Sequence, residues 1–492
     1  MDHDTEKQPP TATVVADDSP NDLEKCNVLQ KCASRISNWG IELRGITPVP
    51  LEERTDTQFI NVFFVWFTMS TNLLPIITGM VGTFSFGLSL RDTSLVILFF
   101  SIVCTVPPAY FSTFGSRTGL RQMLHGRFTY ILISIIVALN LCTIAGFGII
   151  SAVLGGTTLS AVSDGNIDGT AGIVIIGLCG MVVSFGGYKF LHQYERYCWI
   201  FSLVAIVIAT GVGGNQLSHQ APTEPPAPAT VVSFGGVIAG FLIPWAGMAS
   251  DFSVYCHPKV STFRIFAYTY AGLFVPTVPL MVLGAAIGST AMTVPSWADG
   301  YASYGVGGVL EAMLHPAGGF GKFVSVLLAF STLGNLAASM YSISLNFQLI
   351  VPFFVRIPRF VFSILYTAVL IPVSVAAARA FFANVENFLY VIAYWSAAYV
   401  GVVATEHFVF RGADCARYEA GKWNELRDLP TGVSAIAAMG LSFGLIVPSM
   451  GQAWYTGAIA ETTGDIGFEV ALALAPLLYM PLRWAELRWW KA

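Results

Sequence analysis

Beyond about residue 57 the chain changes from a polar, charge-bearing segment to long apolar stretches separated by short polar connections. About 18 or more apolar residues in helical form cross about 30 Å of hydrocarbon. Spans are expected near Asn61–Phe86, Leu95–Phe114, Phe128–Leu154, Gly172–Gly187, Trp199–Gly213 and Val231–Val254. Six more are expected near Ile265–Ser289, Phe323–Ile350, Phe360–Ala378, Phe388–Phe410, Gly432–Met450 and Phe468–Leu482. The fourth is short and rich in glycine. The pattern predicts an all-α membrane protein of twelve transmembrane helices. Residues 1–57 are expected to form a disordered cytosolic tail.

Positive charge tests that count. Lys and Arg gather in cytoplasmic connections of membrane proteins. With the N-terminus inside, all but Arg91, Lys322 and Arg379 of the 25 Lys and Arg fall on the cytoplasmic side. One helix more or fewer would scramble this alternation. The outer connections Gly214–Thr230 and Thr290–Gly319 are expected to be long loops, and neither holds Lys or Arg. Both chain ends are therefore expected inside.

Composition agrees. Of 492 residues, 54% are hydrophobic and 11% charged, whereas a soluble chain carries about a quarter charged residues. The surface must face lipid. A net charge of -4 gives no sign of a nucleic-acid partner. The eight cysteines have no metal-ligand spacing, and neither metal nor cofactor is expected. Residues 1–20 lack the apolar run of a signal peptide.

If ten helices form two halves of five, the odd number inverts one half against the other. Carriers of this kind bind solute near the bilayer midplane, where the first helix of each half is interrupted. Helix 1 carries Pro75, Gly79 and Gly82 in mid-span, and helix 6 carries Pro244 and Gly247. Proline removes a backbone donor, and glycine permits an unwound backbone. Packing notches and kinks are the plainer explanation of each; their coincidence in corresponding helices favours a site. Trp245, beside the helix 6 interruption, offers a broad π-face to a flat ligand. Asn335, with Ser331 and Thr332, lies in helix 8. Its amide could meet the edge of a heterocycle or form an interhelical hydrogen bond. Asn72, Thr78 and Ser151 are further polar candidates. Asp251, Glu195, Glu386 and Glu406 sit near expected span ends, where they serve as capping or gating contacts or as a protonation site.

The motifs resemble one family along nearly the whole chain after the tail. They are GIELRGITPVPLEERTD before helix 1, FGSRTGLRQMLHGRF between helices 2 and 3, and FGGYKFLHQYERYCW between helices 4 and 5. WAGMASDFSVY ends helix 6, LGNLAASMYSISLNFQ lies in helix 8, ENFLYVIAYWSAAYVGVVATEHFVFR in helix 10, and GDIGFE opens helix 12. The chain resembles a fungal-type purine–cytosine permease of the nucleobase:cation symporter family. That resemblance implies twelve helices with a five-plus-five inverted repeat, helices 1 and 6 broken, and two further C-terminal helices. The transport core is then 58–410, followed by a cytoplasmic loop 411–431, two added helices in 432–485 and a cytosolic end 486–492.

The resemblance also implies alternating access and proton-coupled import of cytosine or purines across a plasma membrane, with sodium the less expected ion. Trp245 and Asn335 match the family's ring-stacking and amide positions. Where the family has Gly-Trp and then Asn or Gln four residues on, this chain has Gly146–Phe147 and then Ser151. Pro244 replaces a glycine, and Ala338–Ser339 replaces an asparagine-bearing pair. Ser331 and Thr332 resemble sodium ligands of bacterial relatives. These departures leave a vitamin B6 compound or a modified purine open as cargo. A membrane enzyme would need clustered His, Asp or Glu, and the seven His are scattered. A channel is the remaining alternative.

Overall fold

A computed structural model describes residues 45–130, 133–351, 353–354, 357–425 and 429–489, with the backbone alone at 187–189. The expected tail up to residue 44 and the final residues 490–492 lie outside the described residues. Residues 45–57, expected as the end of the tail, instead pack on the body. Ile46 and Val49 are buried, Val49 N–H donates to Gly119 O at 2.9 Å, and Asp56 pairs with Cys256 as an isolated β-bridge.

Helices dominate. In chain order they are α1 (Ile60–Ser70), α2 (Leu73–Phe84), α3 (Leu90–Cys104), α4 (Val106–Thr118), α5 (Ile133–Val162), α6 (Gly169–Phe185), α7 (Gly187–Gly213) and α8 (Pro228–Leu242). There follow α9 (Thr262–Ala291), α10 (Pro295–Leu314), α11 (Gly318–Ser331), α12 (Leu333–Ile350), α13 (Arg359–Ala377), α14 (Phe381–Thr405), α15 (Val433–Ile446) and α16 (Gly467–Trp489). Helix starts carry the expected chemistry. The side chains of Asn72, Ser89 and Asp168 accept N–H groups in the first turns of α2, α3 and α6. Proline opens α8 and α10, where its missing N–H has no intrahelical partner to lose.

Among the described residues, eight helical stretches are long and apolar enough to cross a membrane, or nine with the bent pair α1–α2 taken as one. Among the described residues, helix occurs within each of the twelve expected spans, and some of the eight stretches run on across breaks. Arg359–Phe410 counts once at 52 residues, yet at 1.5 Å per residue it would be about 78 Å long. A 3-10 turn at Ala378–Ala380 divides it. α6 and Val433–Ser449 fall below the length threshold.

Three differences from expectation bear on the site. The connection Thr290–Gly319 is not a loop but holds α10, kinked at Tyr304–Gly305. A two-residue hairpin, Gly451–Gln452 with Tyr455–Thr456, joins α15 to α16. α7 begins 12 residues before the expected Trp199, so Glu195 lies inside a helix rather than at its rim.

Gly79 explains how α2 packs. A Cβ there would stand 1.8 Å from Met281 O, and one on Gly284 of α9 would stand 1.8 Å from Ile76 O. The two helices touch backbone to backbone, as small residues permit in membranes. A Cβ on Gly82 would meet Thr93 and Phe234. Gly79 and Gly82 are therefore packing notches inside a continuous helix and not part of the break.

Candidate functional site

The break in the first span lies upstream of Pro75. α1 ends at Ser70, α2 starts at Leu73, and the two are bent by 49°. Asn72 forms the joint. Its Oδ1 accepts Leu74 N–H at 2.7 Å, and its Nδ2 donates to Met69 O at 2.6 Å. Pro75 occupies the first turn of α2, where backbone donors have no intrahelical acceptor anyway. Proline there fits the start of the second half rather than causing the bend.

The break in the sixth span falls where proline and glycine indicate. α8 stops at Leu242, Ile243–Gly247 forms a 3-10 turn, and a second one follows at Ala249–Phe252. This places Trp245 against α5. Its ring stacks on Phe147 with centroids 4.4 Å apart and planes at 21°. Trp66 of α1 meets Trp245 edge-on at 6.4 Å, and Phe241 and Phe388 meet Phe147 edge-on. Phe147 and Trp245 are buried and face each other without a gap.

The polar candidates converge beside this pair. Ser151 Oγ donates to Phe147 O at 2.9 Å and to Asn335 Oδ1 at 3.4 Å. Asn335 Nδ2 donates to Met69 O at 3.2 Å, the carbonyl that Asn72 also engages. One main-chain oxygen at the α1–α2 break thus joins both amides. In this state the Asn335 amide is an interhelical hydrogen-bonding group. Thr78 turns back to Leu74 O at 3.0 Å. Ser331 and Thr332 donate to Leu328 O and Ala329 O of their own helix. All three hydroxyls bond to a carbonyl three or four residues earlier in the chain.

Sequence reasoning missed Asn140. It is buried two turns before Phe147 on α5, and its Nδ2 donates to Gly247 O at 3.2 Å. Gly247 is required there, because a Cβ would fall 2.2 Å from Asn140 Oδ1. An amide within an apolar run, on the Phe147 face by helical spacing, was the available signal. Trp395 Nε1 donates to Thr143 Oγ1 at 2.9 Å and brings α14 into the same wall.

Opposite ends of α5 differ. Past Ser151 a cavity of about 650 Å³ opens, lined by Val153, Thr157, Tyr301, Tyr304, Arg379 and Phe382. At the other end the chain is latched. Asp251, expected as a cap or gate, accepts Gln122 N–H at 2.9 Å and Ser342 Oγ–H at 2.8 Å. Arg121 donates to Asp251 O at 2.9 Å and to Tyr341 OH at 2.8 Å. Broken spans around a buried ring-and-amide site, with a cavity beyond it on one side and a hydrogen-bonded latch on the other, are the arrangement of a membrane transporter.

The chain is matched over residues 48–420 by the family described as permeases for cytosine/purines, uracil, thiamine and allantoin. It is 32% identical to the purine-cytosine permease fcyB of Emericella nidulans, covering 99% of this chain and 98% of that one. It is 32% identical to the purine-cytosine permease FCY2 of Saccharomyces cerevisiae, over 92% and 88% of the two chains. The vitamin B6 transporter TPN1 of the same yeast is 26% identical over 97% and 93%. Among solved structures, the nucleobase-cation-symport-1 family transporter Mhp1, closed with bromovinylhydantoin bound, superposes with a TM-score of 0.71. It covers 90% of this chain and 95% of that one, at 16% identity. The chain belongs to the cytosine/purine permease family.

Proposed function

We propose that this protein is a proton-coupled symporter that imports nucleobases such as cytosine and purines by alternating access. One observation carries the reading: the Phe147–Trp245 ring pair, set beside the Ser151–Asn335 hydrogen bond at two helix breaks. Stacking on an aromatic ring contributes about 1–3 kcal/mol per base and accepts any flat π-face. An amide supplies the donor and acceptor that a base edge requires. A ring inserted between two others needs about 7 Å between them, twice a carbon contact distance. The pair at 4.4 Å would therefore part by about 3 Å to take a base between its rings.

The relatives named as purine-cytosine permeases support this cargo. A second reading, a vitamin B6 compound, is favoured by Phe147 and Ser151, which leave a smaller stacking partner and a hydroxyl in place of an amide.

Twelve crossings follow if α1–α2, α3–α4 and α11–α12 each make one, α13 and α14 one each, α6 and α15 cross despite their length, and α10 does not cross. Counted so, the breaks fall in the first and sixth crossings, as a five-plus-five inverted repeat requires. The clustering of Lys and Arg supports cytoplasmic termini, with residence in the plasma membrane.

Cells lacking their own permeases, expressing this chain and offered labelled cytosine, adenine, hypoxanthine and pyridoxine, test the reading. Saturable accumulation of a nucleobase, abolished by a protonophore, is expected. Accumulation of pyridoxine alone selects the second reading, and accumulation of none overturns both. Uptake that ignores the protonophore and follows external sodium removes proton coupling.

A further inference from the structure

We propose that Glu195 of α7 is the carboxyl group that takes up and releases the co-transported proton. The inference rests on the symport reading above and names its coupling site. Glu195 is fully buried, and among the described residues neither carboxylate oxygen accepts a hydrogen bond of ordinary geometry. The three other acidic residues near span ends differ. Asp251 accepts two hydrogen bonds, Glu406 is paired with two arginines, and Glu386 borders a second, open cavity.

The surroundings of Glu195 connect it to the site. Thr68 of α1 and Gly334 of α12 face it. A Cβ on Gly334 would stand 3.3 Å from Glu195 Oε2 and 2.9 Å from Thr68 Cγ2. The Thr68 hydroxyl donates to the Glu195 main-chain carbonyl at 2.5 Å and lies close enough to the carboxyl to favour its charged form, the one polar side chain that does so. The next residues along, Met69 and Asn335, are the pair whose 3.2 Å hydrogen bond joins the α1–α2 break to α12. Glu195 is therefore one residue removed, on both helices, from the amide beside the ring pair.

The titratable groups that interact with it are Tyr194 and Cys198 of its own helix, and Tyr194 in turn meets Cys179 of α6. Among the described residues no cation pairs with it, and Arg196 of the same helix donates to Gln58 Oε1 at 3.0 Å. An ionised carboxylate buried without a partner is costly, and such a group takes a proton instead. Intramembrane acidic residues of this kind mark proton relays. Binding the proton lets α1 and α12 close over a neutral side chain. Releasing it requires the α1–α12 contact to part and admit water. Closure around cargo and protonation are then one event.

The test uses the full chain in proteoliposomes, with labelled cytosine or whichever nucleobase the wild type accumulates. Two quantities are read: accumulation driven by an imposed pH gradient, and exchange of labelled for unlabelled cargo at equal pH. Glu195→Gln keeps the shape and removes the titration. Its gradient-driven accumulation is expected to fall about tenfold or more while exchange persists, the signature of a carrier without its proton site. Accumulation and exchange in the wild-type ratio would overturn the proposal. Should Glu195→Gln not reach the membrane, Glu195→Asp replaces it, with a displaced pH dependence of accumulation expected; an unchanged pH profile would overturn the proposal equally. Failure of the wild type itself to respond to the pH gradient would instead strike the symport reading.

Discussion

Two buried carboxylates, Glu406 and Glu195, stand in opposite surroundings. Glu406, at the end of α14, accepts Tyr479 OH at 2.8 Å, Arg411 Nε at 3.1 Å and Arg483 Nε at 3.2 Å. It binds the C-terminal helix α16 to the body. Among the described residues Glu195 meets no cation, and only the Thr68 hydroxyl lies near enough to favour its charge. The same contrast separates their regions. Around the ring pair, Trp66 Nε1 and Asn140 Oδ1 are also buried without partners. Saturated polar groups fix helices, whereas unsaturated ones in a membrane interior are costly unless a later state uses them. On the proposed mechanism, the difference between Glu406 and Glu195 separates a fixed joint from a moving one.

The largest expected effect lies on the scaffold side. Glu406→Gln leaves Arg411 and Arg483 without their shared countercharge. Loss of one partner from a buried pair costs about 3–5 kcal/mol. Lower Tm in detergent is expected, with near-normal affinity in the protein that remains folded. A wild-type Tm would break the comparison by making the cluster incidental. The smaller effect lies at the site. Trp245→Leu retains apolar bulk and loses the π-face. The apparent affinity for cargo is expected to fall by about ten- to a hundredfold, the equivalent of 1–3 kcal/mol of stacking. Membrane abundance should change little. Competition of labelled uptake by unlabelled base measures it, and an unchanged affinity would remove Trp245 from the slot.

Much of this was legible in the residues. Each apolar stretch became helix because lipid and a buried interior both demand internal backbone pairing. The Pro244–Gly247 break was visible because a proline and a glycine close together weaken a helix interior, although Pro276 and Pro279 are accommodated inside α9. Ser151, Asn335 and Asn72, polar residues within apolar runs, are linked by hydrogen bonds beside Phe147. Other features were hidden for physical reasons. The α1–α2 break was assigned to Pro75, but Thr71–Asn72 holds it, since an Asn side chain can cap a helix and redirect the chain. Gly79 and Gly82 looked like breakers and are contact points, a distinction that depends on α9 and not on local sequence. The burial of Glu195 was masked by its neighbours. The run HQYERY has the polarity of a connection, yet contacts with α1 and α12 extend α7 through it.

The central claim is that a flat heterocycle enters between Phe147 and Trp245. A structure of the protein with cytosine, or the nucleobase it accumulates best, tests this directly. The account predicts the base between the two rings, their centroids moved from 4.4 Å to about 7 Å, with the Asn335 amide turned to the base edge. A base held in the cavity beyond Ser151, with Phe147 and Trp245 still in contact, would contradict it.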